Sequence, residues 1–551
     1  MSAWRPGVLV WPRFSVVGSR RGVAATTALA IALLAPLGAA SQRPPVAHAA
    51  ADSGTLIVVT DGSAGDIDPA TNEAASSDMI AHNIGDTLVV YKGAAIDQFV
   101  PALASGWTTN RDRSVYTFTL RRGVRFHTGR TMTAADVQYS LARTVTSGLT
   151  NSYLLARFIT NPAKQIVVTG PYTVQFRLGR AQPLFLGAVA NEYVTLILDS
   201  TELKKHATKA DPWAHTWASE HDAGTGPYTL KEWLHGQQIT LTRFPAYWRG
   251  WNSPHFSTVI IRTVPEAATR RELLEKNAAQ LTFGLTPTDY DALRSNPGVR
   301  VRVDYGTEVD YIAMTQSGPL ASPLARQALS YAFNYDAFIN AFYHGYAHRA
   351  YGPISSVLLG YDAHTFHYQT DLNKARALLQ QAGVKPGTTL TYTYSGAPQG
   401  AGQILAAQLA QVGIVVKLRH LDEAAFNDIF FSNTAPDKRP NLMPYEWWPD
   451  YNDPYDMTVP LIYSKSAGAA GVNAGYYHNK QVDTLLERMR QGDRASLIRD
   501  AKTLQDITGR QDPPALWIAA PANVTVMRKD IKGFEFNPTI LQVYTFYDLY
   551  R

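Results

Sequence analysis

The feature that most constrains this chain is an unbroken alternation of strand-like and helix-like patterns from about residue 52 to Arg551. No internal repeat, long charge block or linker interrupts it. Such alternation gives a mixed α/β assembly, with helices packed on sheets. A chain of 551 residues is too long for one ordinary core, so two or three domains are expected.

Individual elements can be read from periodicity and caps. Leu56–Thr60 is a short β-rich run, and Val115–Leu120 alternates as a half-buried strand does. Thr133 and Asp136 form a capping box for a helix through Val137 and Leu141. Gln238–Phe244 is a further strand, followed by a loop rich in Trp, Gly and Pro. Ser322-Pro323 opens a helix whose apolar positions are Ala325, Ala328, Leu329, Ala332 and Phe333, one buried face. Asp371 caps another, which Gly383 stops. A third ends at Gly413 and leads into the strand Ile414–Leu418.

The formal net charge of +6 is concentrated at the start. Residues 1–49 hold Arg5, Arg13, Arg20, Arg21 and Arg43 and no acid, and the remaining chain is balanced, 46 basic against 45 acidic residues. A nucleic-acid binder would need a basic face, and none is indicated. The basic start, the apolar run Val23–Ala40 and the small-x-small sequence Ala47-His48-Ala49 read as a signal peptide cleaved before Ala50. An uncleaved anchor is the alternative, and Arg20-Arg21 raises the twin-arginine route. There is no Cys, which closes thiol chemistry, disulfides and lipidation at a cleavage-site Cys. The expectation is an exported, non-lipidated protein, periplasmic or at the cell surface.

Catalytic signatures are missing. No G-x-S-x-G elbow, H-E-x-x-H helix or G-x-x-x-x-G-K-[ST] loop is present. His344/His348 and His364/His367 have metal-compatible spacings without a supporting carboxylate pattern. Asp211, His215 and Glu220 lie in a Trp-rich stretch without catalytic spacing. The reading is a non-enzyme with no cofactor and no metal site. The 11 Trp and 29 Tyr fill large cores or line a stacking cleft, which composition alone does not separate.

Four stretches carry a resemblance. The first runs Leu103-Ala104-Ser105-Gly106-Trp107, then Val115–Leu120, then Arg122-Gly123-Val124-Arg125-Phe126-His127-Thr128-Gly129, then Thr133-Ala134-Ala135-Asp136-Val137. The second is Gly224-Thr225-Gly226-Pro227-Tyr228 with Tyr247-Trp248-Arg249-Gly250, and the third Ser322–Asp336, with Arg326, Ala328 and Ala332 in place and Asn334-Tyr335 replacing the usual Asp-Arg. The fourth is Glu446-Trp447-Trp448-Pro449-Asp450-Tyr451-Asn452-Asp453-Pro454. Together the chain resembles the extracellular solute-binding proteins of family 5, the peptide/nickel type that serves ABC importers.

The resemblance implies a two-lobe periplasmic-binding-protein-like fold, type II, cluster C. Lobe I would be residues 52–305 with an inserted subdomain at about 96–199, lobe II residues 306–520, and residues 521–551 a return to lobe I. It implies a monomer that closes on an oligopeptide or dipeptide and docks on membrane-bound permease and ATPase subunits. Asp450 would hold the ligand's α-ammonium group, with Trp447, Trp448 and Tyr451 beside it; the bottom-up alternative for Asp450 is a loop carboxylate satisfying local N–H groups. A metal chelate, an oligosaccharide or an opine-like ligand on the same fold, a sensory binding protein, and an exported enzyme remain as alternatives.

Overall fold

The computed structural model describes residues 54–551 apart from 73, 253, 397, 398, 540 and 542. The expected signal peptide lies outside the described residues. Among the described residues, no helix is long and apolar enough to cross a membrane.

One twelve-stranded sheet organises the chain. From one edge it runs Val415–His420, Thr389–Tyr394, Leu442–Trp447, Val309–Met314, then the long strand Ala515–Arg528. It continues through Leu281–Phe283, Thr55–Thr60, Thr258–Thr263, Gln238–Arg243 and Tyr228–Leu234. Val299–Tyr305 and Ala347–Arg349 also pair with the long strand. The first residues of that strand pair with Val309–Met314, and its last with Leu281–Phe283 and Val299–Tyr305. It therefore belongs to both halves of the molecule. The chain passes between them twice, at 306–308 and inside this strand.

Burial follows the two-residue period of strands. Along Val309–Met314, Ile312 and Met314 enter a core with Leu329, Leu390 and Leu516, while Tyr311 and Ala313 enter another with Tyr445 and Trp517. The other half closes over Leu56, Val58, Ile261 and, from the far end of the chain, Phe546 and Leu549. A separate four-stranded sheet, Ala104–Thr109, Val115–Leu120, Thr173–Arg177 and Ile166–Gly170, forms a subdomain cored by Phe118, Phe176 and Phe185.

The expected caps are made. Asp136 accepts from the Thr133 N–H at 2.8 Å ahead of Ala134–Thr146, Ser322 accepts from the Leu324 N–H at 3.2 Å, and Asp371 from the Lys374 N–H at 2.9 Å. Asn334 caps Tyr335–Phe342 by accepting from the Ala337 N–H at 3.0 Å. Arg326 is buried and donates to the carbonyls of Pro513 and Leu320 at 2.9 and 2.7 Å, tying its helix to the long strand's approach.

The Gly224-Thr225-Gly226 turn allows close packing, not an unusual backbone angle. A Cβ on Gly224 would stand 2.0 Å from the carbonyl oxygen of Ile84, and one on Gly226 2.5 Å from its carbonyl carbon. That approach delivers Thr225, Tyr247 and Trp248 as donors to the buried Asp86, at 2.8, 3.1 and 3.1 Å. His127 joins the same knot, its Nε2 donating to Gly226 O at 2.9 Å and its Nδ1 to Asp222 at 2.7 Å. These motif residues build the lobe. Similarly, His215 lies 2.9 Å from Asp68, which also takes the buried Arg143, and Asp211 accepts from the His215 N–H. This is a structural ion cluster.

Candidate functional site

Between the two halves of the sheet lies a cavity of about 610 Å³. One wall comes from Phe283–Pro287 and the C-terminal segment Phe534–Asn537, and the opposite wall from Val309–Met314, Tyr335–Phe342 and Leu442–Trp447. Twelve of its lining side chains are aromatic, and five are acidic: Glu308, Asp310, Glu423, Glu446 and Glu535.

Three of these acids meet. Carboxylate oxygens of Glu308, Asp310 and Glu446 lie within 4.8 Å of one another. The cause is register. Glu308 ends the crossing just before the strand, two residues from Asp310, and Asp310 sits directly opposite Glu446 in the antiparallel pair. Like charges facing each other in this way destabilise a sheet. The Tyr343 hydroxyl donates to Asp310 Oδ2, while Asp310 Oδ1 is buried without a hydrogen-bond partner. Burial, followed by repulsion from Asp310 and Glu446, pushes Glu308 well above the usual carboxylate range. Burial and then Asp310 do the same to Glu446, and burial lifts Asp310 to about 6. A neutral or half-charged trio is the electrostatic state this produces.

The loop that follows Glu446 points elsewhere. Asp450 accepts from the Tyr153 hydroxyl at 2.6 Å and pairs with Arg157 at 3.4 Å, both from the subdomain of the other half. Arg157 also pairs with Asp456, which in turn accepts from the Asp450 and Tyr451 N–H groups at 2.7 and 3.3 Å. Burial and the nearby Asp456 push the Asp450 carboxyl up to about 7 against the pull of Arg157. Tyr451, 1% exposed, inserts into the subdomain core beside Phe158 and Gly187. Trp447 is buried in the core with Tyr311 and Trp517, and Trp448 is half-buried. None of the four expected ligand residues, Trp447, Trp448, Asp450 and Tyr451, lines the cavity. The physical reason is alternation: Glu446 and Trp447 face opposite sides of one strand, and the chain then turns toward the subdomain.

The residues that do line it, Glu308 and Asp310 above all, went unremarked in the sequence. Their signal is two acids spaced i, i+2 at the head of an otherwise apolar strand, Glu308-Val309-Asp310-Tyr311-Ile312-Ala313-Met314.

Comparisons with known proteins fit this geometry. Residues 98–469 match the family described as bacterial extracellular solute-binding proteins, family 5. The chain is 30% identical to the probable D,D-dipeptide-binding periplasmic protein of Escherichia coli (strain K12), covering 91% of this chain and 95% of the relative. It is 26% identical to the dipeptide-binding protein of the same organism, covering 88% and 92%. Among solved structures, the periplasmic binding protein DppA from Helicobacter pylori, in complex with the peptide STSA, superposes with a TM-score of 0.76 at 25% identity, over 90% of this chain and 98% of that one.

Proposed function

Because the chain belongs to the bacterial extracellular solute-binding proteins of family 5, we propose that it is the peptide-capturing component of an ABC importer, acting outside the cytoplasm with permease and ATPase subunits. The observation that carries this reading is the cavity of about 610 Å³ between two halves joined by two crossings. Ligand pockets between lobes are the usual site in hinged proteins, and closure expels water and strengthens the polar contacts inside. Relatives described as dipeptide-binding support peptides as the ligand class. In this reading the chain catalyses no reaction.

The lobe contact is proposed to report closure. Tyr153 and Arg157 on one side, and Asp450, Tyr451 and Asp456 on the other, would separate as the halves open. Asp450 would reach a ligand ammonium group once its 3.4 Å contact with Arg157 is given up. Trp447, Trp448 and Tyr451 would then shape that route rather than the cavity wall.

Mass spectrometry of ligand released from purified, denatured protein tests the reading. Free peptides are the expected result. A different tightly held molecule, with no peptide among the released species, would overturn the peptide assignment. Calorimetry of Asp450→Ala with the peptide so identified tests the residue, and unchanged affinity would remove Asp450 from the site.

A further inference from the structure

We infer that the cavity selects a cationic ligand, a peptide whose Lys- or Arg-like side chain places its ammonium or guanidinium group among Glu308, Asp310 and Glu446. This rests on the reading of the cavity as the peptide site and adds the charge class of the peptide. The wall carries five acidic side chains and, among the described residues, no Lys, Arg or His.

The contrast with the rest of the molecule is the argument. Other buried acids are compensated: Asp68 takes Arg143, Asp136 takes Arg130 and Asp456 takes Arg157, while Asp86 takes three O–H and N–H donors and Asp453 caps a helix at the Tyr455 N–H. The trio has no cation within ion-pair distance among the described residues, although register holds its carboxylates together. Half-buried carboxyls held together without a counter-ion repel one another when charged, and a bound cation would relieve that repulsion. Two further groups point to a missing partner. Asp310 Oδ1 is buried with no N–H or cation of the protein donating to it, and Tyr311, 4% exposed and part of the cavity wall, has a hydroxyl without a hydrogen bond. Asn523 offers the complementary feature, a buried, unpartnered amide Nδ2 that can donate to a ligand carbonyl or carboxylate.

The aromatic walls decide between an organic cation and a bare metal ion. A hard divalent ion takes six or more oxygens or keeps its waters. Here three carboxylates are present, one oxygen of Asp310 is already occupied by Tyr343, and twelve aromatic side chains surround the space. Aromatic faces attract alkylammonium and guanidinium groups and cover their carbon stems.

The test is calorimetry on the full chain with Ala-Lys-Ala, Ala-norleucine-Ala, Ala-Glu-Ala, cadaverine and MnCl₂. Ala-Lys-Ala is expected to bind at least about tenfold more tightly than its norleucine counterpart, with Ala-Glu-Ala weakest. Glu446→Gln and Glu308→Gln are expected to shrink that ratio, with thermal melting of each variant verifying that it is folded. Equal affinity for the lysine and norleucine peptides overturns the inference, as does failure of every cationic probe to bind. Binding of Mn²⁺ without a lysine preference overturns it in favour of a metal site. Binding of cadaverine with none of the peptides supports the cation and removes the peptide reading, so the two failures are distinguishable.

Discussion

The Tyr153 hydroxyl donates a 2.6 Å hydrogen bond to Asp450 Oδ1 across 297 residues of chain. It joins the subdomain of one half to a loop of the other, and Tyr451 beside it is buried in the subdomain core. Truncating a buried aromatic side chain costs about 3–5 kcal/mol. Here that loss falls on the contact between halves. Tyr451→Ala is therefore expected to open the molecule, seen as a larger radius of gyration in small-angle scattering and weaker ligand binding. An unchanged radius would show that the contact does not hold the halves together.

Arg157 compensates two carboxylates at once, Asp450 and the fully buried Asp456. Removing one member of a buried pair leaves an uncompensated charge and costs on the order of 3 kcal/mol or more. Arg157→Ala should lower the urea midpoint accordingly. Adding Asp456→Asn should recover part of the loss, and a double variant as unstable as the single one would argue against charge as the cause.

The trio makes a prediction about pH. Folding raises its carboxyls above their ordinary range, Asp310 to about 6. Between the unfolded value of about 4 and those raised values, the folded chain binds more protons than the unfolded one. Stability from these groups is thus highest at the acid end of the window and falls as pH rises through it. Asp450 and Asp453, raised to about 7 and about 8, act with the same sign, so the comparison must be with a variant. Glu446→Gln should flatten the decline in denaturant stability between about pH 5 and 8. Parallel profiles for the two proteins would contradict it.

Gly224 faces the Ile84 carbonyl with no room for a Cβ. Overpacking costs about 1–3 kcal/mol, and a backbone neighbour puts it at the upper end. Gly224→Ala should lower the melting temperature by several degrees, whereas alanine at Gly123, where a Cβ meets nothing within 4 Å, bears only the strain of its φ of +77°. A Gly224→Ala protein that melts with the parent would show that the turn can shift.

The elements that could be read in the sequence are those whose signals are local. Val115–Leu120 alternates, Thr133 and Ser322 cap, and Asp371 and Gly383 bracket a helix, because each signal is complete within a few residues. The family motifs were legible too, and the knot around Asp86 explains why they are recognisable: Thr225, Tyr247 and Trp248 donate to one buried carboxylate, and Gly224 lets the turn approach it. The cavity wall was not legible. Glu446 stands beside Asp310 only because two strands more than a hundred residues apart pair in one register, and no local pattern encodes that pairing. The same loop offered Asp450 as the more conspicuous acid, and its partners Tyr153 and Arg157 come from a segment with no motif of its own.

The strand Ala515–Arg528 and the tail beyond it have a kinetic consequence. The Asn83 side chain accepts from the Phe546 N–H at 2.8 Å, and Leu56 shares a core with Leu549. The first strand among the described residues, Thr55–Thr60, is therefore sealed by residues near Leu549. Such distant contacts are slow to form. A nascent chain that lacks Ala515–Arg528 keeps one edge of Leu281–Phe283 and one edge of Val309–Met314 open, so neither half is complete until that strand has been made. Until then its unpaired strand edges and uncovered apolar faces are open to aggregation.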